Sequence, residues 1–123
     1  MFGAIQMRTE FEISQDTRDG IHVVTIRGEL VLDTAPGVRE PLEKAALDGE
    51  HPLVVDLSDC TFMDSIGLAM LLHGAKPLQD GESNVALVAN GEVRRLLRLT
   101  AIDQTLPAFD TFEEAVEAVR SSG

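Results

Sequence analysis

Apolar residues recur along this chain with two different periods, and the changes from one period to the other mark out its elements. Residues 9–14 (TEFEIS) alternate polar and apolar side chains, and residues 21–27 (IHVVTIR) are rich in branched ones. A polar, glycine-bearing turn separates them, so the pair predicts the two strands of an opening hairpin. Either Asp33 or Thr34 is placed to cap a helix in which Val38, Leu42, Ala45 and Ala46 keep a helical spacing. Pro41 has no N–H for the carbonyl four residues earlier, which predicts a kink or a start delayed to about Gly37. Residues 53–57 (LVVDL) form a short run suited to a strand in a sheet interior. A helix over residues 65–79, closed by Asp80 and Gly81, leads to another such strand at residues 85–89 (VALVA). Strand, helix and strand predict a right-handed crossover. Asn90 then caps a helix to about Thr100, and a strand-like piece surrounds Phe109. Thr111 and Glu114 have capping-box spacing for a last helix with Phe112, Ala115, Val116 and Val119 on one face. The succession is that of one mixed α/β domain.

The helix beginning at Ser65 is more apolar than a helix covering one side of a sheet requires. Leu68, Leu71, Leu72 and Ala75 make the face expected to pack on the sheet, yet Ile66, Ala69, Met70 and His73 leave the adjoining face nearly uncharged. Two readings are open: burial between neighbouring helices, or a surface on which a partner docks. The polar pair Asp64–Ser65 stands at the helix start, where free N–H groups and the dipole favour negative charge. An N-cap there contributes about 1 kcal/mol. Alternatively Ser65 receives a phosphate of roughly -1.5 to -2 charges, which the helix N-terminus tolerates but an apolar partner docked over Ile66 and Met70 would not.

Composition narrows the remaining classes. With 123 residues, 44% of them hydrophobic and 25% charged, the chain fits one domain. The stretch 66–72 is far shorter than the roughly 18 apolar residues a membrane helix needs, and residues 1–6 do not read as a signal peptide, so a cytoplasmic location is expected. Residues 1–7 are expected to be a loosely ordered extension. A net charge of -11 argues against a phosphate-backbone binder, and the cluster Arg94, Arg95 and Arg98 reads as a solvated helix face. The single cysteine, Cys60, excludes an internal disulfide and reads as a small buried hydrophobe rather than a redox sensor. His22, His51 and His73 are too scattered in sequence to suggest a metal pair, so no metal or cofactor is expected. Nucleotide-phosphate loops and the nucleophile elbow of hydrolases are missing. Asp56 and Asp59 read as a strand end and a polar loop, and His73 lies two turns from Ser65, too far to act as its base. Catalytic residues are not expected.

The segment DLSDCTFMDSIGL (residues 56–68), with LVVDL (residues 53–57) leading into it, resembles the signature of the STAS domain of bacterial anti-sigma factor antagonists. GEL at residues 28–30, TAP at 34–36 and VRRLLRLTAIDQTLPAF at 93–109 resemble further parts of that family. The resemblance implies a STAS domain over residues 1–123, with a mixed sheet of four to five strands opening with a hairpin and about four helices packed mainly on one face. It implies that Ser65 is phosphorylated by a partner anti-sigma factor that is also a serine kinase of the histidine-kinase-like ATPase type. The unphosphorylated form would bind that partner and release a sigma factor, and a serine phosphatase would reset the switch. Asp64 would help position Ser65; Ile66, Gly67 and Met70 would line the docking surface, with Gly28 and Glu29 contributing. Val31 stands where the family's turn usually carries Asp, so its polar contact is lost or supplied by Asp33. Ile66 replaces a frequent second hydroxyl residue, leaving Ser65 as the motif's only acceptor, and Ala101 stands where a helix-ending Gly is frequent. Gly67 is expected to let a partner's backbone approach. Two alternatives stay open: a STAS scaffold subunit of another assembly, stressosome-like or a lipid-transport ATPase, and a nucleotide- or small-ligand-binding module.

Overall fold

The computed structural model describes residues 11–48, 51–80 and 84–121. The expected extension at 1–7, the strand start at Thr9 and the helix-closing Gly81 lie outside the described residues. Strand β1 (Phe11–Arg18) turns through Asp19 and Gly20, both at positive φ, into β2 (Ile21–Leu30), and the two pair antiparallel from Arg18↔Ile21 to Phe11↔Gly28. Two central residues at positive φ are what a tight hairpin turn of the right twist demands. β1 is an edge strand whose outward residues include Glu12, Asp16 and Arg18, charges that discourage further pairing.

After β2 a 3-10 turn (Ala35–Val38) precedes helix α1 (Arg39–Asp48), so Pro41 falls in the first turn of the α-helix, where no N–H is needed. The delayed start expected from Pro41 is found, and Thr34 stands at the N-cap position without capping. The Thr34 hydroxyl makes no cap bond and instead donates to the Glu29 carbonyl at 2.6 Å and accepts from Val31 N–H at 2.9 Å.

β3 (Leu53–Asp56) pairs parallel with β2, and a short strand β4 (Cys60–Met63) pairs parallel with the far end of the same strand, at Gly28 to Leu30. Helix α2 (Ser65–Asp80) then leads to β5 (Val85–Val88), parallel to β3. Helix α3 (Gly91–Leu99), β6 (Ala108–Phe109) and helix α4 (Phe112–Ser121) complete the order β1-β2-β3-β5-β6, a six-stranded sheet once β4 is included. The additional strand is the one embedded in the DLSDCTFMDSIGL segment.

Alternation along the inner strands divides the core between two faces. Val24, Ile26, Leu53, Val55, Val85 and Leu87 meet Leu42 of α1, Leu68 and Leu71 of α2, and Val93 and Leu97 of α3. Val23, Val54, Ala86 and Val88 point the other way, onto Ala115 and Val119 of α4. Among the described residues most helices therefore share one face, and α4 covers the other. Both faces being covered explains why β5 is buried at every position. Each fully buried leucine contributes about 1.5–3 kcal/mol, so Leu71 alone is a strong anchor for α2 on the sheet.

Two further expectations meet a different outcome. Asn90 sits at the N-cap position of α3 but makes no side-chain cap bond; its amide reaches the Asp110 carbonyl at 3.5 Å. Arg94 is not a solvated cation: it pairs with Asp110 at 2.7 Å and is three-quarters covered, whereas Arg95 is exposed beside Glu92. The capping box of α4 forms as expected, with Glu114 N–H donating to Thr111 Oγ1 at 3.2 Å and Glu114 Oε1 accepting from Thr111 N–H at 3.3 Å.

Candidate functional site

The start of α2 is built by Asp64. Its N–H donates to the Leu30 carbonyl at 3.2 Å, continuing the β2–β4 pairing by one step. One carboxylate oxygen, Oδ1, accepts from Gly67 N–H at 2.8 Å, the N-cap bond that occupies one otherwise free helix donor. The other, Oδ2, accepts from Leu32 N–H at 3.2 Å, across 32 positions of sequence. Asp64 thus joins the turn after β2 to the first turn of α2. The family resemblance implied that Asp64 positions Ser65; the geometry adds a bond to Leu32.

Ser65 follows as the first residue of the helix and is exposed. Ile66 is exposed at 44%, and Ala69 and His73 on the same side are exposed as well. Of the two readings open for the surplus apolar face, burial between helices fails for Ile66, Ala69 and His73. Met70 is half-buried and packs against the core. The inward face is Leu68 and Leu71, with Leu72 partly buried; the side chain of Ala75 lies outside the described residues.

Gly67 departs from expectation. It is buried, and a Cβ there would run into the Leu30 carbonyl oxygen and lie 2.9 Å from Leu30 Cγ. Its missing side chain lets α2 sit against the end of β2, so the space that was expected to admit a partner's backbone is filled by this chain's own.

Gly28 and Glu29 stand at the same end of the sheet. Gly28 has φ 92°, donates to the Asp59 carbonyl at 3.1 Å, and marks a register shift in the pairing of β2 with β4. A glycine at positive φ is the usual partner of such a bulge. Glu29 pairs with Phe62, and its carbonyl anchors Thr34. Asp33 is exposed in the turn that follows, two positions beyond Val31. Gly28, Glu29, Asp33, Asp64, Ser65 and Ile66 are therefore gathered at one end of the sheet and the turn beside it.

Two exposed apolar residues that sequence reasoning did not assign join them: Leu32, 63% exposed, and Phe62, 52% exposed. Leu32 is brought in by its bond to Asp64, and Phe62 by its pairing with Glu29. Phe62 was legible as an aromatic within the motif, but its exposure was not: β4 buries Cys60 and Met63 and exposes the two residues between them. Beyond Phe62 an open groove of about 240 Å³ runs between β4 and α3, with Leu96 and Leu99 on its far wall.

The remaining candidates have structural uses. Asp56 accepts from Ser58 N–H at 2.9 Å and from its hydroxyl at 2.6 Å, tightening the turn between β3 and β4, and Asp59 faces Arg27 at 3.6 Å. Burial pushes the Cys60 thiol above its ordinary value, against smaller opposing contributions from hydrogen bonds with the Phe62 and Leu30 backbone. His22 and His51, far apart in sequence, come together edge to face with ring centroids 5.4 Å apart. Among the described residues no group of three His, Cys, Asp or Glu side chains is arranged to hold a metal ion, and no helix is long and apolar enough to cross a membrane.

Comparison with known proteins places these features in a family. The chain is 35% identical over 104 residues to the anti-sigma-F factor antagonist RsfB of Mycobacterium tuberculosis, covering 83% of this chain and 84% of that one. It is 30% identical over 87 residues to the anti-sigma-B factor antagonist of Staphylococcus epidermidis, covering 70% and 81%. The crystal structure of an anti-sigma factor antagonist from Mycobacterium paratuberculosis superposes with a TM-score of 0.83 at 32% identity, over 90% of this chain and 95% of that one. The STAS domain model matches residues 12–115, a span that holds the sheet from Glu12 onward, the turn carrying Leu32 and the capped start of α2, and the chain belongs to the STAS domain family.

Proposed function

We propose that this protein is an anti-sigma factor antagonist whose unphosphorylated form binds a serine-kinase anti-sigma factor and releases a sigma factor, and whose binding is switched off by phosphorylation of Ser65. A serine phosphatase returns it to the binding form. The names of its relatives support the antagonist role. The observation that carries the switch is the placement of Ser65: an exposed hydroxyl at the first position of α2, next to an apolar surface exposed at Ile66. The docking face of this proposal comprises Gly28, Glu29, Asp33, Asp64, Ser65, Ile66 and Met70, while Gly67 supports it from beneath.

The physics separates folding from binding. A phosphate on Ser65 adds about -1.5 to -2 charges where the helix dipole and free N–H groups are favourable, so the domain keeps its fold. A partner seated over Ile66 would have to strip water from that charge, with Asp64 adjacent, and a buried unpaired charge costs several kcal/mol. That exceeds the roughly 1.4 kcal/mol needed for each tenfold loss of affinity.

Incubation with the cognate kinase and ATP is expected to add one phosphate, mapped to Ser65 by mass spectrometry and absent in Ser65→Ala. In calorimetry Ser65→Asp is expected to abolish binding of the anti-sigma factor while leaving the thermal midpoint within a few degrees of the parent. Phosphate on a different residue, or undiminished affinity of Ser65→Asp, would overturn the proposal.

A further inference from the structure

We infer that Asp64 is a positioning residue that holds Leu32 in place as an apolar contact for the anti-sigma factor, an inference that rests on the docking face proposed above. Capping α2 requires one acceptor oxygen, which serine, threonine and asparagine supply as well as aspartate does. The Oδ1 bond to Gly67 N–H meets that need. The second oxygen is spent on Leu32 N–H, in a turn that Thr34 already ties to Glu29 and Val31. What this second bond orders is a leucine 63% exposed to water. A single exposed leucine needs no explanation, but this one is fixed by a charge-assisted bond next to Ile66 and near Phe62, both also exposed. Glu29 pairs with Phe62, Asp33 follows Leu32 in the chain and Asp64 is bonded to Leu32 N–H, so acidic residues accompany these apolar ones on a chain of net charge -11. The surface that fits is an apolar spot on the anti-sigma factor rimmed by basic side chains, because opposite charges around an apolar centre favour encounter and register.

Asp64→Asn separates the two tasks. Its remaining oxygen still caps the helix, while its amide NH2 is set against Leu32 N–H, where it cannot accept. By amide hydrogen exchange, Leu32 is expected to exchange about tenfold faster in this variant and Gly67 to keep its protection. Affinity for the serine-kinase anti-sigma factor of the same genome is expected to fall about tenfold in Asp64→Asn and similarly in Leu32→Ala. The double variant is expected to lose less than about twofold more than either single one, because both remove the same contact. Unchanged Leu32 exchange in Asp64→Asn overturns the inference, as do two losses that multiply. Should the parent protein itself not bind the anti-sigma factor, the function proposed above fails, and the exchange measurement still decides what Asp64 holds.

Discussion

Replacing Gly67 with alanine sets two effects of opposite sign against each other. At an exposed position inside a helix the change stabilises by up to about 1 kcal/mol, because glycine loses more backbone freedom on folding. At Gly67 the new Cβ would collide with the carbonyl oxygen of Leu30, with that carbonyl's carbon 2.8 Å away and Leu30 Cγ 2.9 Å away. Two of these atoms are backbone at the end of β2, and Leu30 is fully buried, so no rotamer change makes room. The start of α2 has to back away. Overpacking of this kind costs about 1–3 kcal/mol. The retreat also stretches the bonds from Asp64 to Gly67 N–H and Leu32 N–H, each contributing about 1 kcal/mol. The clash wins, and the net loss is about 1–3 kcal/mol. For a domain of this size that lowers the thermal midpoint by roughly 4–12 °C and lowers the urea midpoint with little change in slope. Ala69→Gly is the control, exposed two residues further along the same helix. It is expected to lose about 1 kcal/mol through backbone entropy alone. A midpoint for Gly67→Ala equal to or above that of the parent would refute the packing account and restore the reading in which this glycine makes room for a partner.

Ala101→Gly is expected to stabilise by about 0.5–1 kcal/mol, since Ala101 ends α3 at φ 61°, a conformation costing an L-residue about 1–2 kcal/mol, and glycine returns part of that gain through its freer unfolded chain; a lower thermal midpoint would contradict it. Thr111→Ala removes the hydroxyl that caps α4 at 3.2 Å and is expected to cost about 0.5–2 kcal/mol in urea unfolding, an unchanged midpoint counting against the capping box. Because burial raises the Cys60 thiol, the folded state favours the neutral form. Its contribution is therefore fully present below the ordinary thiol value of about 8.5 and is lost as pH rises through the higher folded value. Stability is expected to decline more steeply above about pH 9 in the parent than in Cys60→Ala. Parallel profiles for the two proteins would refute it.

Elements that satisfy themselves locally were legible in the sequence. The hairpin, the buried strands, the delayed start of α1 and the capping box of α4 each depend on residues within a few positions of one another. β4 was not legible, because CTFM at residues 60–63 has too few positions to establish a period, and its partner is the far end of β2 past a register shift at Gly28. The misread polar residues have the same origin. Thr34 and Asn90 are of capping type and stand at helix starts, yet each found another partner, Thr34 at Glu29 and Asn90 at Asp110. Arg94 looked solvated because its carboxylate, Asp110, lies 16 positions away on the loop before α4. Local composition states what a side chain can bond; the fold decides which acceptor arrives first.

The candidate site divides in the same way, and the division follows its chemistry. Ser65 and Ile66 are adjacent in the motif, so an acceptor hydroxyl beside an apolar surface could be read directly. Leu32 and Phe62 reach the same place by two non-local devices, a carboxylate bond across 32 positions and a parallel register with Glu29. A switch of this design needs both kinds of residue. The added charge must fall where the fold tolerates it, and the helix start, with its free N–H groups, is such a place; on the face carrying Leu68 and Leu71, both buried, a phosphate would unfold the domain instead of regulating it. The apolar surface it acts on must be fixed firmly enough that a new charge changes affinity rather than merely shifting a loose turn. In the proposed switch Asp64 would meet both requirements, capping with one oxygen the helix that Ser65 begins and holding with the other the turn that exposes Leu32.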